Sequence, residues 1–124
     1  MLLQKHITFL EKLYQKTISK GIKWKTSVER NQFQVSFPNY SVVISKTEDF
    51  DVNFNKSQDT IHFSIINSDG DLIETFDSDD VVFFLAEKNC DTRKMHRKLE
   101  DMYEMARRQA LGADKALDEI LEYL

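Results

Sequence analysis

Short strand patterns follow one another between residues 22 and 77, and this run most constrains how the chain can fold. In each pattern apolar and polar residues alternate, as they do in a strand with one buried face. The links between the patterns span roughly two to five residues, too few for the crossovers that parallel strands need. The sequence therefore predicts an antiparallel meander of roughly five or six strands, centred on residues 22–24, 33–37, 40–44, 50–54, 61–65 and 73–76.

Three polar segments predict the turns of this meander. Pro38 pre-sets φ for a tight turn, and Asn39 tolerates positive φ. Residues 56–59 are polar throughout and predict a second turn. Asp69-Gly70 predicts a two-residue type I′ hairpin, because that turn needs positive φ at both central residues. The cross-strand neighbours expected from this hairpin are Ile66 with Ile73 and Phe63 with Phe76.

An amphipathic helix precedes the strands. Its apolar stripe has the spacing of one helical face and comprises Leu3, Ile7, Leu10, Tyr14 and Ile18, with Leu13 beside it. The lysines on the opposite side are Lys5, Lys12 and Lys16, and we interpret them as a solvated cationic face. Gly21 follows the stripe and is expected to be the C-terminal cap.

Two further helices are expected at the C-terminal end. Asp91 or Thr92 can cap the first, and Gly112 is expected to end it. Its core stripe comprises Met95, Leu99, Met102, Ala106 and Ala110, with Tyr103 beside it, and its expected ion pairs are Arg97–Asp101 and Glu104–Arg108. Asp114 is expected to cap the second helix, whose apolar residues are Leu117, Ile120, Leu121 and Leu124. That helix is too short to be stable alone, so it must dock on its own sheet or on a second copy.

Residues 81–85 form an apolar run that periodicity alone does not assign. Asp79-Asp80 could cap a short helix there, and the same run could equally be a last strand. With either choice the expected fold class is α+β. It has an N-terminal helix, an antiparallel meander of roughly five or six strands, and two or three C-terminal helices packed on one sheet face. The length predicts a single domain over residues 1–124.

Charge and cysteine content narrow the expected environment. The net charge of −4 combines a basic N-terminal region with an acidic segment between residues 31 and 91, which argues against that segment meeting nucleic-acid phosphates. Cys90 is the single cysteine, so no intrachain disulfide can form and a cytosolic, reducing compartment is expected. Neither a signal peptide nor a membrane span is expected, because charged residues interrupt every apolar run.

No catalytic, cofactor-binding or metal-binding residue is predicted. The histidines, His6, His62 and His96, lie at no metal-ligand spacing to one another or to Cys90. Cys90 and His96 could form a nucleophile–base pair, but no orienting Asn or Asp accompanies them. Asn67 to Asp71 lacks the residue order of a calcium loop and is expected to be a hairpin turn. Three glycines in the whole chain cannot build a phosphate-cradling loop.

The C-terminal segment resembles the tail of small uncharacterised bacterial α+β proteins. The motif that carries the resemblance is Tyr103, two residues, Ala106-Arg107-Arg108, two residues, and Leu111-Gly112, followed by the acidic-capped short helix. The resemblance implies an α+β fold and a bacterial origin, and it implies no activity and no site. A second similarity, to the secretion chaperones of pathogenic bacteria, rests on size and acidic charge alone.

The hypothesis that these features favour is a non-catalytic protein–protein interaction module that binds a protein partner or forms a homodimer. The expected contact residues are Tyr103, Arg107, Arg108, Leu117, Leu121 and Leu124. A second hypothesis is a nucleic-acid-associated regulator that uses the basic helix face of Arg93, Lys94, Arg97 and Lys98. A secretion-chaperone-like effector binder and an enzyme of unfamiliar type complete the set of hypotheses.

Overall fold

An N-terminal helix, a five-stranded antiparallel sheet and three C-terminal helices make up the fold, which confirms the α+β class. The computed structural model describes residues 2–51 and 56–124. The strands lie in the sheet in their sequence order. The elements are α1 (Gln4–Ile18), β1 (Lys25–Thr26), β2 (Gln32–Ser36), β3 (Tyr40–Asp51), β4 (Lys56–Asn67), β5 (Leu72–Asp77), α2 (Ser78–Glu87), α3 (Thr92–Leu111) and α4 (Ala113–Leu121).

Five strands form, within the predicted number, and β3 and β4 are longer than the patterns suggest. The strand expected at residues 22–24 is wrong, because β1 begins only at Lys25 and Trp24 lies buried just before it. The 40–44 pattern and the start of the 50–54 pattern belong to the single strand β3, and the rest of the latter pattern lies outside the described residues. The turn expected at residues 56–59 is wrong, because these residues pair with β3 from Asp51↔Lys56 to Glu48↔Asp59. Ladder hydrogen bonds satisfy the backbone of this polar segment although its composition is typical of a turn.

One face of the sheet packs against α1, α2 and α3. The alternation predicted from the sequence is confirmed, since the side chains buried on this face are Phe33, Val35, Val42, Ile44, Ile61, Phe63 and Phe76. The helices add Ile7, Leu10 and Leu13 from α1, Val81 and Leu85 from α2, and Met95, Leu99, Met102 and Ala106 from α3. The Nε1–H of Trp24 donates a hydrogen bond to the Thr17 hydroxyl (3.1 Å), which ties the start of the sheet to the end of α1.

The two predicted hairpins form with different geometry. In the first, the Phe37 amide donates to the Tyr40 carbonyl (2.7 Å), but Asn39 is not among the residues with positive φ. In the second, the type I′ turn is wrong: the loop spans residues 68–70 and only Gly70 there has positive φ (87°). The expected cross-strand pair Phe63↔Phe76 is confirmed. The expected pair of Ile66 with Ile73 is wrong, because a bulge shifts the register and places Leu72 opposite Ile66.

The Asn67 side chain explains why the second turn differs. Its Oδ1 accepts hydrogen bonds from the amides of Asp69 (3.0 Å) and Asp71 (2.9 Å). An Asn at this position stabilises a turn of its own, and Gly70 then takes the left-handed position that closes a three-residue loop. The Asn67 side chain, two residues before the predicted turn, therefore favours the longer loop.

Helix ends show where local signals were misleading. The left-handed residue after α1 is Lys20 (φ 59°) and not Gly21, whose amide donates to the Lys16 carbonyl (2.9 Å). Asp91 caps α3 and Gly112 (φ 67°) ends it, as expected. Asp114 does not cap α4, because Gly112 holds the cap position and the Asp114 carboxylate binds Arg108 (2.7 Å).

The apolar run at residues 81–85 is helical and forms the middle of α2. The caps are Asp77 and Asp80, and not the Asp79-Asp80 pair that the sequence suggests. The Asp77 side chain accepts a hydrogen bond from the Asp80 amide (2.9 Å), and the Asp80 carboxylate accepts one from the Asp77 amide (3.0 Å). This reciprocal pair is a capping box, which favours a helix over a sixth strand.

Candidate functional site

The apolar face of α4 is exposed along its whole length. The exposed fractions are 52% for Leu117, 55% for Ile120, 64% for Leu121 and 93% for Leu124. Leu117, Ile120 and Leu121 share one face of the helix, and Leu124 follows three residues after its end; together the four form the α4 face. The helix contacts α3. The ion pair between Arg108 and Asp114 and the left-handed Gly112 set the direction of α4. The structure thus holds a well-formed amphipathic helix whose apolar side faces outwards.

The other expected contact residues lie on α3. Tyr103 is buried against Phe33, with the two ring centroids 5.6 Å apart. Arg107 binds the Glu104 carboxylate with two nitrogens, at 2.6 and 3.2 Å. The predicted Glu104–Arg108 pair is therefore wrong, because Arg107 takes Glu104 and Arg108 takes Asp114. The structure places Tyr103 and Arg107 together, and it places Arg108 at the base of α4.

The predicted Arg97–Asp101 pair is absent from the part of the chain that the structure describes. There His96 binds Glu100 across one helical turn (2.7 Å) instead. Of the basic helix face that the nucleic-acid hypothesis uses, Lys98 points towards α1, where its Nζ lies 2.9 Å from the Glu11 carboxylate and 5.6 Å from the Tyr14 ring centroid. The ion pair neutralises one of the four charges of that face.

A polar cluster surrounds Tyr103 and holds the groups with displaced pKa values. Burial raises the pKa of Tyr103 above 10.0. The hydrogen bond between Glu104 and Arg107 lowers the pKa of Glu104 below its ordinary value and raises the pKa of Arg107 above its ordinary value. Burial opposes the charge of Lys46, but its hydrogen bond to Asp59 and its attraction to that carboxylate and to Glu48 raise its pKa above 10.5. All four shifts move away from neutrality, so these groups keep fixed protonation states around pH 7.

An apolar groove of about 430 Å³ opens between α1, the turn that joins β2 to β3, and strands β3 and β4. Val42 lies buried within it, whereas Phe37 and Tyr40 at its mouth are 40% and 51% exposed. The other lining residues are Phe9, Lys12, Leu13, Lys16, Ile22 and Ile65. Pockets of this size are typical of sites that take a small ligand or several apolar side chains.

Two lysines of α1, Lys12 and Lys16, give this groove a basic rim. They are four residues apart and therefore lie on the same side of the helix. Neither makes a salt bridge with another described residue. Their spacing in the sequence predicts a solvated face and does not reveal the groove. The sequence feature that could have indicated the groove is the aromatic pair Phe37 and Tyr40. These residues flank a tight turn, where a large apolar side chain stays partly exposed.

The histidines and the cysteine lie on separate elements. His6 binds Glu74 (2.6 Å), His62 binds Thr47 (2.9 Å), and His96 binds Glu100. The Cys90 sulfur is exposed, next to the Lys88 carbonyl. Among residues 2–51 and 56–124, no three side chains form a cluster that could hold a metal ion, and no helix is both long and apolar enough to cross a membrane.

Comparisons of this chain with protein-family models, with curated proteins and with solved structures find no match.

Proposed function

We propose that this protein is a non-catalytic interaction module of the bacterial cytoplasm that binds a protein partner, or a second copy of itself, through α4. The observation that carries the proposal is the apolar face of α4, where Leu117, Leu121 and Leu124 are each more than half exposed. A helix of nine residues is marginal in water without packing. Amphipathic helices with such a face bind apolar grooves in other proteins.

The charge cluster around Tyr103 supports the non-catalytic part of the proposal. General acids and bases act best when their pKa lies near the working pH. The displaced groups here, Lys46, Tyr103, Glu104 and Arg107, have pKa values shifted away from neutrality. The ion pair between Glu104 and Arg107, and the pairs of Lys46 with Glu48 and Asp59, suit a structural role better than proton transfer.

Origin and compartment rest on separate features. The bacterial assignment rests on the resemblance of the tail from Tyr103 to Gly112. The reducing compartment rests on Cys90, which is exposed and free. Both are parts of the proposal.

A photo-crosslinking experiment tests the role of α4. Leu121 is replaced by p-benzoylphenylalanine in the full chain, which is expressed in its bacterial host and irradiated. The matched control carries the same residue at Lys115, on the opposite side of α4. The proposal expects one defined adduct, identified by mass spectrometry, from position 121 and none from position 115. Equal labelling from both positions, or no adduct at all, would remove α4 as the binding surface.

A further inference from the structure

We infer that the partner of α4 is a second copy of this chain, and that the α4 of each copy lies in the apolar, lysine-rimmed groove of the other. This inference rests on the proposed function, and it identifies both the surface that α4 binds and the segment that fills the groove. It accounts for two unpartnered surfaces of one molecule with a single contact. The resulting assembly is a symmetric dimer in which each groove and each α4 is used once.

The groove and the α4 face match in their apolar character. Apolar side chains from α1, from the turn between β2 and β3, and from β3 and β4 line the groove. The α4 helix presents three aliphatic side chains on one face, Leu117, Ile120 and Leu121, and Leu124 follows three residues after its end. An amphipathic helix that lays such a row into a groove uses anchors three and four residues apart. That is the spacing found in α4.

The charges around the two surfaces are complementary. Lys12 and Lys16 lie four residues apart on the groove rim, and Asp118 of α4 lies four residues before Glu122, the C-terminal cap of that helix. On a helix this spacing places the Cβ atoms of each pair about 6 Å apart. In the described part of the chain, none of these four side chains makes a salt bridge. Each copy therefore offers two cations and two carboxylates in matching register.

The position of α4 favours a reciprocal arrangement. Gln109, near the end of α3, donates a hydrogen bond to the carbonyl of Ile22 (3.4 Å), and Ile22 lines the groove. The base of α4 thus lies beside one end of its own groove. The Arg108–Asp114 ion pair holds α4 in a direction that leaves its apolar face exposed. With the two surfaces adjacent, a two-fold axis between them lets each copy fill the groove of the other, and the assembly closes at two.

A charge exchange tests this contact by sedimentation velocity of the full chain at about 0.1 M ionic strength, where exposed charges more than about 10 Å apart are largely screened. One variant reverses the groove rim (Lys12→Glu with Lys16→Glu), and the other reverses α4 (Asp118→Lys with Glu122→Lys). Each variant alone faces like charges at both contacts, so its dimer Kd is expected to rise about tenfold or more. An equimolar mixture of the two restores opposite charges at both contacts. It is expected to form heterodimers with a Kd within about threefold of the unaltered chain.

Two controls separate this contact from general effects of charge. Lys5→Glu reverses an exposed lysine of α1 that does not line the groove, and Lys115→Glu does the same on the polar side of α4. Both are expected to leave the Kd within about twofold, because rim charges away from the contact are screened. Circular dichroism and thermal midpoints of all variants confirm that the fold is retained.

Several results would overturn the inference. A chain that stays monomeric at all concentrations would do so, as would a dimer whose Kd ignores both charge reversals. Two weakened variants that do not recover on mixing would also do so, because the reversed charges would then not face one another across the dimer. The crosslink from Leu121 separates this inference from the proposed function. An adduct with a different protein together with a monomeric chain leaves the function standing and removes the dimer, and no adduct together with a monomer removes both.

Discussion

The Ser78 hydroxyl takes the place of a strand carbonyl at the end of the β4–β5 ladder. Removing this hydroxyl by mutation is therefore the sharpest test of the fold. The β4–β5 ladder ends at His62↔Asp77, where the chain turns into α2, so the amide of Ile61 has no strand carbonyl to bind. It donates instead to the Ser78 hydroxyl, at 3.1 Å. Ser78 and Ile61 are both fully buried, so water does not reach this amide.

Ser78→Ala removes the acceptor and leaves a buried N–H unpaired. An unsatisfied buried donor costs about 1–3 kcal/mol of unfolding free energy. The unfolding entropy of a chain of 124 residues is about 260 cal/mol/K at about 2.1 cal/mol/K per residue, so each kcal/mol lowers Tm by about 4 °C. The expected fall in Tm is therefore about 4–12 °C, measured by calorimetry together with urea unfolding.

The matched control is Ser36→Ala, which removes an exposed hydroxyl 3.1 Å from that of Ser41 and should change stability by less than about 0.5 kcal/mol. Hydrogen exchange followed by NMR adds a local measurement, because the Ile61 amide should lose protection in the variant. If Ser78→Ala matched the control in stability, or if the Ile61 amide kept its protection, the role of Ser78 at the ladder end would be refuted.

Three further predictions concern a helix end, the core and an ion pair. Lys20→Gly should raise the unfolding free energy by about 0.5–1 kcal/mol in urea titrations, because Lys20 holds a left-handed conformation that glycine adopts without strain; lower stability would contradict this. Leu99→Ala should cost about 2–5 kcal/mol, since the side chain is fully buried, and a loss below about 1 kcal/mol would contradict its core position. NMR titration should give Glu104 a carboxyl pKa below 4.5, and Arg107→Gln should return it towards 4.5, whereas Arg97→Gln should not. Because this pKa is lowered on folding, the contribution of Glu104 to stability is present above about pH 4.5 and is lost as pH falls through the folded-state pKa.

Periodicity predicted the parts of the fold that depend on neighbouring residues in sequence. Phe33 and Val35 alternate with polar residues and are buried, and the Phe63↔Phe76 pair forms as expected. The spacing of Leu99 and Ala106 likewise marked the buried face of α3. These predictions succeeded because the period of a strand or a helix decides which side chains share a face, whatever lies opposite.

Composition misled wherever contacts beyond the local pattern decided the backbone conformation. Residues 56–59 are polar enough for a turn, yet they form a ladder with β3. Gly21 was expected to take the left-handed position, which the chain assigns to Lys20. Gly21 instead serves a close approach, because a Cβ built on it would lie 3.0 Å from the side chain of Lys16.

The candidate interaction surface likewise has one part that the sequence predicted and one part that only the structure revealed. Leu117, Leu121 and Leu124 were predicted as contact residues from the helical spacing of α4, and that role stays a prediction. The groove could not be predicted from the sequence, because its wall combines Leu13 of α1 with Val42 of β3 and other residues far apart in the chain. No local pattern records which apolar side chains remain uncovered when such distant elements pack.

The sequence by itself determined the class of the fold, the antiparallel meander between the N-terminal and C-terminal helices, and the apolar sides of α1, α3, α4 and the long strands, because these follow from short-range periodicity. Only the tertiary structure decided which ion pairs form, where the groove opens and that the apolar side of α4 faces outwards. The physical reason is that burial and charge pairing are properties of surfaces in contact, and a surface gains its neighbours only when distant parts of the chain come together.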